Sequence, residues 1–283
     1  MDFCVLIPYH NDFEDLVRSV NSISYDTGKF CVVIVDDGST KKLTKYELLP
    51  RIKSGVSVSI VRLEKNQGII VALNTGLQYI LDSVNCPYIA RLDCGDICDQ
   101  SRFKAQVSYL NEHPDIDFLG SWCTFTNYST SESYLYKTPT DHEAIVKEMN
   151  FRNVFIHPTV MWRRRAVELY PDNYPHAEDY GLFYRQIKKV RSAILPLSLV
   201  TCKINPNGIS LKNRNAQLDS RIAVVKAMSE NRILSTLGIL KIKLLKILPF
   251  TLVFQLKKML SAGLAPSDGI QILTSSTSKP KGI

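Results

Sequence analysis

Blocks of apolar residues alternate with polar segments through the first third of the chain and predict repeated strand–helix units. Four short apolar runs end in polar or turn-forming residues, which is typical of buried strands. Between them, apolar residues recur at helical spacing, as at Leu16, Val20 and Ile23. This alternation predicts an α/β fold with a mostly parallel central sheet and helices on both faces. The predicted strand segments are 4–9, 31–40, 56–63 and 87–93, and a predicted helix covers 66–81.

The pattern becomes more mixed after residue 100. Segments 117–127 and 153–164 have the composition of strands, and 176–190 has helical periodicity. Another strand-like stretch starts at Ile194, and 216–264 is predicted to be wholly helical. We therefore expect three regions, a nucleotide-binding domain over 1–212, a helical extension over 213–264 and a flexible tail over 265–283.

The composition is typical of a globular cytosolic protein. With 45% hydrophobic and 22% charged residues among 283, the chain can bury a sizeable core without support from disulfides or metals. Its seven cysteines are an odd number and form no CxxC pair, so we expect reduced thiols and no zinc site. We recognise no signal-peptide pattern after Met1, and no apolar stretch reaches the ~18 residues of a membrane-spanning helix.

Polar side chains collect where three of the predicted strands end. His10 and Asn11 follow the first strand, Asp36 and Asp37 end the second, and the acidic segment 93–96 follows the fourth. Ligands of open α/β sheets bind at the carboxyl ends of the strands, so these groups are expected to share one rim. The GxGxxG fingerprint is absent, which argues against a dinucleotide-dependent dehydrogenase.

Five short motifs follow one another in a recognisable order within residues 3–210. They are IPYHN (7–11), VDDGS (35–39), KNQGIIVALNTG (65–76), YIARLDCGD (88–96) and AEDYGLFYR (177–185). In this order and spacing the chain resembles the family-2 glycosyltransferases of the GT-A fold, a Rossmann-like architecture, and in particular those of bacterial surface-polysaccharide synthesis. The resemblance implies transfer of a sugar from a nucleotide-sugar donor to an acceptor.

The resemblance also assigns the nucleotide base to the first two strand ends. It implies that Asp37 accepts the N–H of a uracil ring, that Pro8 and His10 line the same pocket, and that Gly68 belongs to the donor site. A carboxylate suits this role because it only accepts hydrogen bonds when ionised. From the residues alone, Asp36 or Asp37 can instead cap the following segment, since Asp-Gly-Ser is favourable turn chemistry.

The segment after the fourth strand is implied to bind the ribose and diphosphate of the donor. By the resemblance, Asp93 contacts the ribose, and Asp96 holds a Mn²⁺ or Mg²⁺ ion that bridges to the phosphates. The usual family pattern is Asp-x-Asp-Asp, and Gly95 stands at its third position. This departure leaves open whether Asp96 takes over the metal, whether metal binding is weak, or whether the segment is an acidic turn.

The start of the 176–190 helix resembles the segment that supplies the family's catalytic base. Inverting transfer needs a general base to deprotonate the acceptor hydroxyl as that hydroxyl attacks the anomeric carbon. Asp179 matches the base and Glu178 is its neighbour, although acids are also favoured at helix N-termini by the helix dipole. His157 is implied to lie near the acceptor or sugar pocket, with a buried structural histidine as the alternative.

The C-terminal part of the chain is basic and amphipathic. The chain has a net charge of +8, and residues 231–267 contain no acidic side chain. Lysines and Pro249 interrupt the apolar run, so we expect helices in the membrane interface with lysines near anionic headgroups. A basic helix packed on its own domain is the alternative. Nucleic-acid binding is not expected, because the stretch lacks arginine clusters and a recognisable reading motif.

The sequence therefore predicts an inverting transferase that adds a hexose from a UDP-sugar to a lipid-linked glycan. An undecaprenyl-diphosphate acceptor in O-antigen or capsule synthesis is the expected class, at the cytoplasmic face of the cell membrane. Two alternatives stay open. One is a nucleotide-sugar-binding protein without turnover, and the other is a peripheral membrane scaffold that acts through its C-terminal helices.

Overall fold

The structure, a computed structural model, describes residues 1–128, 132–204 and 213–248. Within these ranges, nine strands form one sheet. The strands are β1 (Phe3–Tyr9), β2 (Phe30–Asp36), β3 (Ser57–Arg62), β4 (Tyr88–Arg91), β5 (Ile97–Cys98), β6 (Ile116–Asn127), β7 (Glu132–Tyr136), β8 (Met161–Arg163) and β9 (Arg191–Lys203). The α-helices are α1 (Phe13–Ser22), α2 (Lys45–Leu48), α3 (Ile69–Ser83), α4 (Arg102–Glu112), α5 (His142–Glu148), α6 (Glu178–Ile187), α7 (Arg214–Met228) and α8 (Arg232–Ile247).

Four parallel strands form one half of the sheet, in the order β3-β2-β1-β4. Alternate side chains of β1 and β2 enter two apolar cores, with Leu6 and Val33 in one and Val5 and Val32 in the other. Helix α3 contributes to the first core and α1 to the second. Because both faces of these strands are buried, their sequences are continuous apolar runs rather than alternating ones. This half confirms the predicted parallel sheet with helices on both faces.

The second half of the sheet mixes strand directions and corrects one prediction. Strand β6 pairs parallel with β9 and antiparallel with β7 and β8, and β8 connects the two halves through β4. The predicted strand over 153–164 is wrong for most of its length, because only Met161–Arg163 is strand. Pro158 has no N–H to donate to a strand ladder, and His157–Thr159 form a 3₁₀ turn instead.

Two helices pack against the sheet domain after β9. The prediction that 216–264 is wholly helical is wrong at residues 229–231, which lie between the end of α7 and the start of α8. Asn231 caps α8 by accepting a hydrogen bond from the N–H of Leu234 at 3.0 Å. The predicted helix beyond residue 248 and the predicted tail over 265–283 lie outside the described residues. The domain boundaries stay predictions.

Two further expectations concern membrane spans and thiols. Over the part of the chain that the structure describes, no helix has the length and apolar character needed to cross a membrane. The seven cysteines are free thiols, and all except Cys94 are buried. They contribute to the packing of the apolar cores.

Candidate active site

The carboxyl ends of β1, β2 and β4 lie side by side and carry the polar segments that the sequence analysis selects. Strand β1 ends at Tyr9, β2 at Asp36 and β4 at Arg91, with β1 between the other two. The N–H of Asp37 donates to the carbonyl oxygen of Tyr9 at 2.9 Å, which joins the loops after β1 and β2. These loops share one rim of the sheet, where ligands of parallel α/β sheets bind.

Asp36 is a structural anchor of this rim. Its buried carboxylate accepts the N–H groups of Ser39 at 2.9 Å and Leu43 at 3.1 Å, and pairs with Arg62. Burial alone raises the pKa of this carboxyl, but the hydrogen bonds outweigh burial and hold the pKa below its usual value. Asp36 therefore caps the turn after β2, which is one of the two roles that its sequence context allows.

Asp37 links the end of β2 to the start of α3. Its carboxylate accepts the N–H of Gln67 at 2.8 Å and the N–H of Gly68 at 2.9 Å, so two residues of the predicted donor site contact each other. Pro8 is buried in β1, and His10 is exposed in the following loop. An ionised carboxylate has about four lone-pair sites, so Asp37 retains acceptor capacity beyond these two bonds.

Asp93 lies at the end of β4 and pairs with a buried arginine. The guanidinium of Arg91 is fully buried and binds the Asp93 carboxylate, whose side chain is 36% exposed. Arg91 also donates to the carbonyl oxygen of Leu6 at 3.0 Å, which fixes the guanidinium between β1 and β4. Arg91 was not among the predicted site residues, although a charged residue inside an apolar strand was the available signal. Asp93 is thus held at the rim and remains accessible.

Asp96 is held from the opposite side by β9. It is 7% exposed, and one carboxylate oxygen accepts the N–H of Lys203 at 2.8 Å. Burial, and next the charge of Asp93, raise the pKa of Asp96 to about 8. The side chain of Lys203 extends to Asp15 of α1 at 2.6 Å. Asp93 and Asp96 are therefore close enough to repel each other electrostatically.

The backbone explains why glycine stands at the third position of the acidic motif. Gly95 has φ of +101°, a conformation that disfavours other residues. A Cβ at this position would lie 3.0 Å from a carboxylate oxygen of Asp15. Any other residue at this position would strain the backbone and crowd Asp15, which favours glycine over a third carboxylate in the turn between Asp93 and Asp96.

The fit of a divalent cation rests on Asp93 and Asp96 alone. Among the described residues, no group of three or more His, Cys, Asp or Glu side chains is arranged to hold a metal ion. A cation near the two carboxylates fits on charge grounds, because burial and the charge of Asp93 both disfavour the ionised form of Asp96, and a cation would offset the repulsion. The remaining ligands would have to come from phosphates and water, as is usual for Mg²⁺.

His157 is an uncharged part of this network. Its Nε2 lies 2.7 Å from the hydroxyl of Tyr170 and 3.3 Å from Nε of Arg91. Because an arginine Nε can only donate, His157 Nε2 is the unprotonated, accepting nitrogen. Burial, and next the charge of Arg91, lower the pKa of His157 to about 3. The histidine orients Arg91 and Tyr170 beside Asp93, and it stays neutral at physiological pH.

Asp179 and Glu178 lie at the start of α6, near the Asp93 end of the rim. Asp179 accepts the side-chain amide of Asn153 at 3.0 Å and the N–H of Tyr180 at 2.6 Å. Burial, and next the charge of Glu178, raise the pKa of Asp179 to about 7; the charge of Asp93 contributes in the same direction. Burial also raises the pKa of Glu178. A carboxyl with a pKa near neutrality is suited to accept a proton.

A cavity of about 220 Å³ opens beside Asp179, between the sheet domain and the C-terminal helices. We call it the α7–α8 cavity. Besides Asp179, its lining includes Arg152 and Asn153 from the domain, Gln217 and Arg221 from α7 and Lys241 from α8. The predicted site did not include Asn153, Arg152, Gln217 or Arg221. Only Lys241 carried a signal, as part of the basic C-terminal stretch.

The sheet, its acidic rim and the carboxylate beside a cavity define a glycosyltransferase of the GT-A fold. The sequence profile described as "Glycosyl transferase family 2" matches residues 4–169, more than half of the chain. The chain therefore belongs to glycosyl transferase family 2, as its motifs predict.

Two curated relatives illustrate the similarity. The amylovoran biosynthesis glycosyltransferase AmsE of Erwinia amylovora is 30% identical over 191 residues, which cover 65% of this chain and 68% of the relative. The UDP-Gal:alpha-D-GlcNAc-diphosphoundecaprenol beta-1,3-galactosyltransferase of Escherichia coli is 26% identical over 160 residues, which cover 55% of this chain and 56% of the relative. Across the curated relatives, the matched parts span from 32% to 70% of the relatives' own lengths.

Two solved structures share the fold. TarS 1-349 of S. aureus in complex with UDP superposes with a TM-score of 0.60 at 16% identity, over 84% of this chain and 70% of TarS. The mannosyltransferase PcManGT from Pyrobaculum calidifontis, in complex with GDP-Man and Mn²⁺, gives a TM-score of 0.57 at 14% identity, over 93% of this chain and 81% of PcManGT. These likenesses confirm the GT-A fold class.

Proposed function

We propose that this glycosyltransferase moves a hexose from a UDP-sugar to a lipid-linked glycan with inversion at the anomeric carbon. The observation that carries the proposal is the carboxylate of Asp179, which has a pKa raised to about 7 and faces a cavity. The same carboxylate lies near Asp93 at the rim where a donor would bind. This position would allow Asp179 to act on an acceptor in the cavity while a donor occupies the rim.

In the proposed reaction Asp179 is the general base. The acceptor hydroxyl donates its proton to the Asp179 carboxylate while its oxygen bonds to the anomeric carbon of the donor. The bond between that carbon and the diphosphate oxygen breaks, and UDP leaves with the electron pair. Asn153 orients Asp179 by donating to one of its oxygens. Glu178 contributes by helping to keep the pKa of Asp179 near neutrality.

The donor is proposed to bind along the rim, with Asp37 toward the base and Asp93 toward the ribose. The names of relatives support the UDP-sugar class, since one relative uses UDP-Gal and the TarS structure holds UDP. We propose that Asp93 and Asp96 hold a Mn²⁺ or Mg²⁺ ion together with the donor phosphates. Such an ion would neutralise charge on the leaving diphosphate. The relative that acts on a diphosphoundecaprenol-linked sugar supports a lipid-linked acceptor.

We further propose that α8 attaches the enzyme to the surface of the cytoplasmic membrane. One side of this helix exposes apolar residues at helical spacing, an arrangement that suits the interface of a bilayer. Basic side chains, including exposed Lys243, lie beside this stripe and favour anionic headgroups. The stripe consists of Ile233, Leu237, Leu240, Leu244 and Ile247.

UDP release by the purified protein tests the proposed function. The donors would be UDP-glucose, UDP-galactose, UDP-N-acetylglucosamine and UDP-N-acetylgalactosamine, each with Mn²⁺ and then with excess chelator. We expect release from one donor, through slow hydrolysis even without acceptor, and loss of that release on chelation. Binding of UDP without release from any donor, even with decyl-diphosphate-linked sugars as acceptors, would contradict the enzymatic proposal and favour a nucleotide-sugar-binding protein.

A further inference from the structure

We propose that the α7–α8 cavity binds the phosphate or diphosphate group of the acceptor through Arg221 and Lys241. The inference rests on the proposed function, because it takes Asp179 as the base that receives the acceptor proton. It adds a binding site for an anionic acceptor group, separate from the donor rim. It also gives the C-terminal helices a part in substrate recognition.

Two cations in the cavity lack an anionic partner. Within the described residues, neither Arg221 nor Lys241 forms an ion pair, and the buried Nε of Arg221 has no hydrogen-bond partner. The Arg221 guanidinium lies 6.0 Å from the ring centroid of Tyr180, and the Lys241 ammonium 5.6 Å from that of Phe151. Arg221 is partly buried, so its unpaired charge is costly and an anionic ligand would stabilise it. Lys241 is exposed beside it and is available to the same ligand.

The acidic groups near the cavity already have partners. Glu148 binds the third cation, Arg152, at 2.7 Å, so this pair contributes little net charge. Asp179 accepts two hydrogen bonds, from Asn153 and from the N–H of Tyr180. Burial lowers the pKa of Lys241; the charge of Glu148 opposes this, and the charges of Arg152 and Arg221 add to it, so Lys241 is repelled by both arginines. A phosphate between them would relieve that repulsion.

The position of Lys241 follows from close packing of α8 on the domain. A Cβ on Gly238 would lie 1.9 Å from the carbonyl oxygen of Asn150, so only glycine allows this approach. Lys241 comes three residues after Gly238 and therefore lies on nearly the same face of the helix. Asn150 is itself fixed, since it accepts from the hydroxyl of Tyr184 at 2.9 Å. Close packing at Gly238 thus holds the backbone of α8 beside the cavity, where the Lys241 side chain contributes to the lining.

An acceptor with a phosphate fits these observations better than a neutral glycan. Its hydroxyl would reach Asp179 while its phosphate oxygens pair with Arg221 and Lys241, whereas a neutral acceptor would leave both cations unpaired. The helix that carries Lys241 also carries the exposed apolar stripe. A hydrocarbon chain attached to the phosphate would therefore find an apolar surface on the same element.

Calorimetric titration with decyl diphosphate tests the proposal directly. The full-length protein is first saturated with UDP, so that the donor site is occupied. We expect wild-type protein to bind the probe, and Arg221→Gln and Lys241→Gln to bind at least about tenfold more weakly. Lys226→Gln is the matched control, because Lys226 is exposed on α7 and does not line the cavity. UDP affinity and thermal unfolding check that each variant is folded.

Two further probes separate the anion from the chain. Inorganic pyrophosphate lacks the alkyl chain, and decyl glucoside lacks the phosphate. If pyrophosphate binds wild-type protein and binds both cavity variants more weakly, the anion alone is recognised. If decyl diphosphate binds but neither pyrophosphate nor decyl glucoside does, the alkyl chain contributes to binding as well as the anion. The proposal is overturned if wild-type protein does not bind decyl diphosphate, or if Arg221→Gln and Lys241→Gln bind it as wild type does. UDP release is measured independently, so failure of the proposed function is recognised separately.

Discussion

Asp36 and Asp37, at the rim of the parallel strands, are held differently from Asp179, at the start of α6. Asp36 and Asp37 accept four backbone N–H groups between them, and Asp36 also pairs with Arg62. Asp179 accepts one backbone N–H and one side-chain amide, and it faces a cavity. Hydrogen bonds lower the pKa of Asp36, whereas burial raises that of Asp179.

This difference indicates which carboxylates position the chain and which can react. A carboxylate with several backbone donors is stabilised in its charged form and is a poor proton acceptor. A partly desolvated carboxylate with few donors gains a proton more readily and is matched to general-base chemistry near neutral pH. The comparison predicts that substitution of Asp36 lowers stability, whereas substitution of Asp179 lowers turnover.

The largest expected effect is on catalysis, from Asp179→Asn. An amide cannot take the proton of the acceptor hydroxyl, so we expect the transfer rate to fall by about 10²–10⁴-fold. UDP affinity should stay close to wild type and thermal stability should fall only modestly, because the amide oxygen keeps one of the two hydrogen bonds that the carboxylate accepts from Asn153 and Tyr180. Steady-state kinetics with the active UDP-sugar measure the change. Wild-type turnover in this variant would remove Asp179 from the mechanism.

A second prediction concerns Asp36, the structural anchor of the rim. Asp36→Asn removes the negative charge opposite Arg62 in a buried site, and we expect a loss of about 2–3 kcal/mol in the free energy of unfolding. Urea denaturation measures the change, with Asp82→Asn as a control on the exposed side of α3 that should cost less than about 0.5 kcal/mol. Equal stabilities of the two variants would contradict the role of Asp36 as an anchor.

A smaller effect is expected at the glycine of the acidic segment. Gly95 and Gly55 both have positive φ, but only at Gly95 would a Cβ meet a neighbour, the carboxylate of Asp15. Replacement of either glycine by alanine adds backbone strain of about 1 kcal/mol or more. We expect Gly95→Ala to lower the stability by about 1 kcal/mol more than Gly55→Ala does, because of crowding. Equal losses in thermal or urea unfolding would show that Asp15 yields easily.

The smallest expected effect is on membrane association. Replacement of Leu237 and Leu240 by serine removes exposed apolar surface from α8, and we expect a several-fold weaker binding to vesicles that contain anionic lipids. Vesicle flotation measures the bound fraction. Leu197→Ser is the control, because this leucine is 48% exposed on β9, away from α8. Unchanged binding of the double variant would contradict membrane attachment through the stripe.

The sequence predicts the parallel half of the fold better than the site. Continuous apolar runs such as β1 and β2 specify buried strands by composition alone, and the polar residues after them mark the rim. The turn at His157–Thr159 escaped prediction because apolar neighbours surround Pro158 and mimic a strand. Local sequence patterns also do not predict the α7–α8 cavity, because Arg221 and Lys241 come from helices far along the chain from Asn153. Only tertiary packing brings such residues together.

The pH dependence of transfer tests the central claim, that Asp179 is the base, most directly. Since the base must be ionised, kcat/KM should rise with pH through about 7 and level off above it. Glu178→Gln removes a charge that raises the pKa of Asp179, so the same rise should move to lower pH. We predict a rise near pH 7 in wild-type protein and its acidic shift in Glu178→Gln. A flat profile between pH 5 and pH 8, or a rise that does not move in Glu178→Gln, would contradict the account.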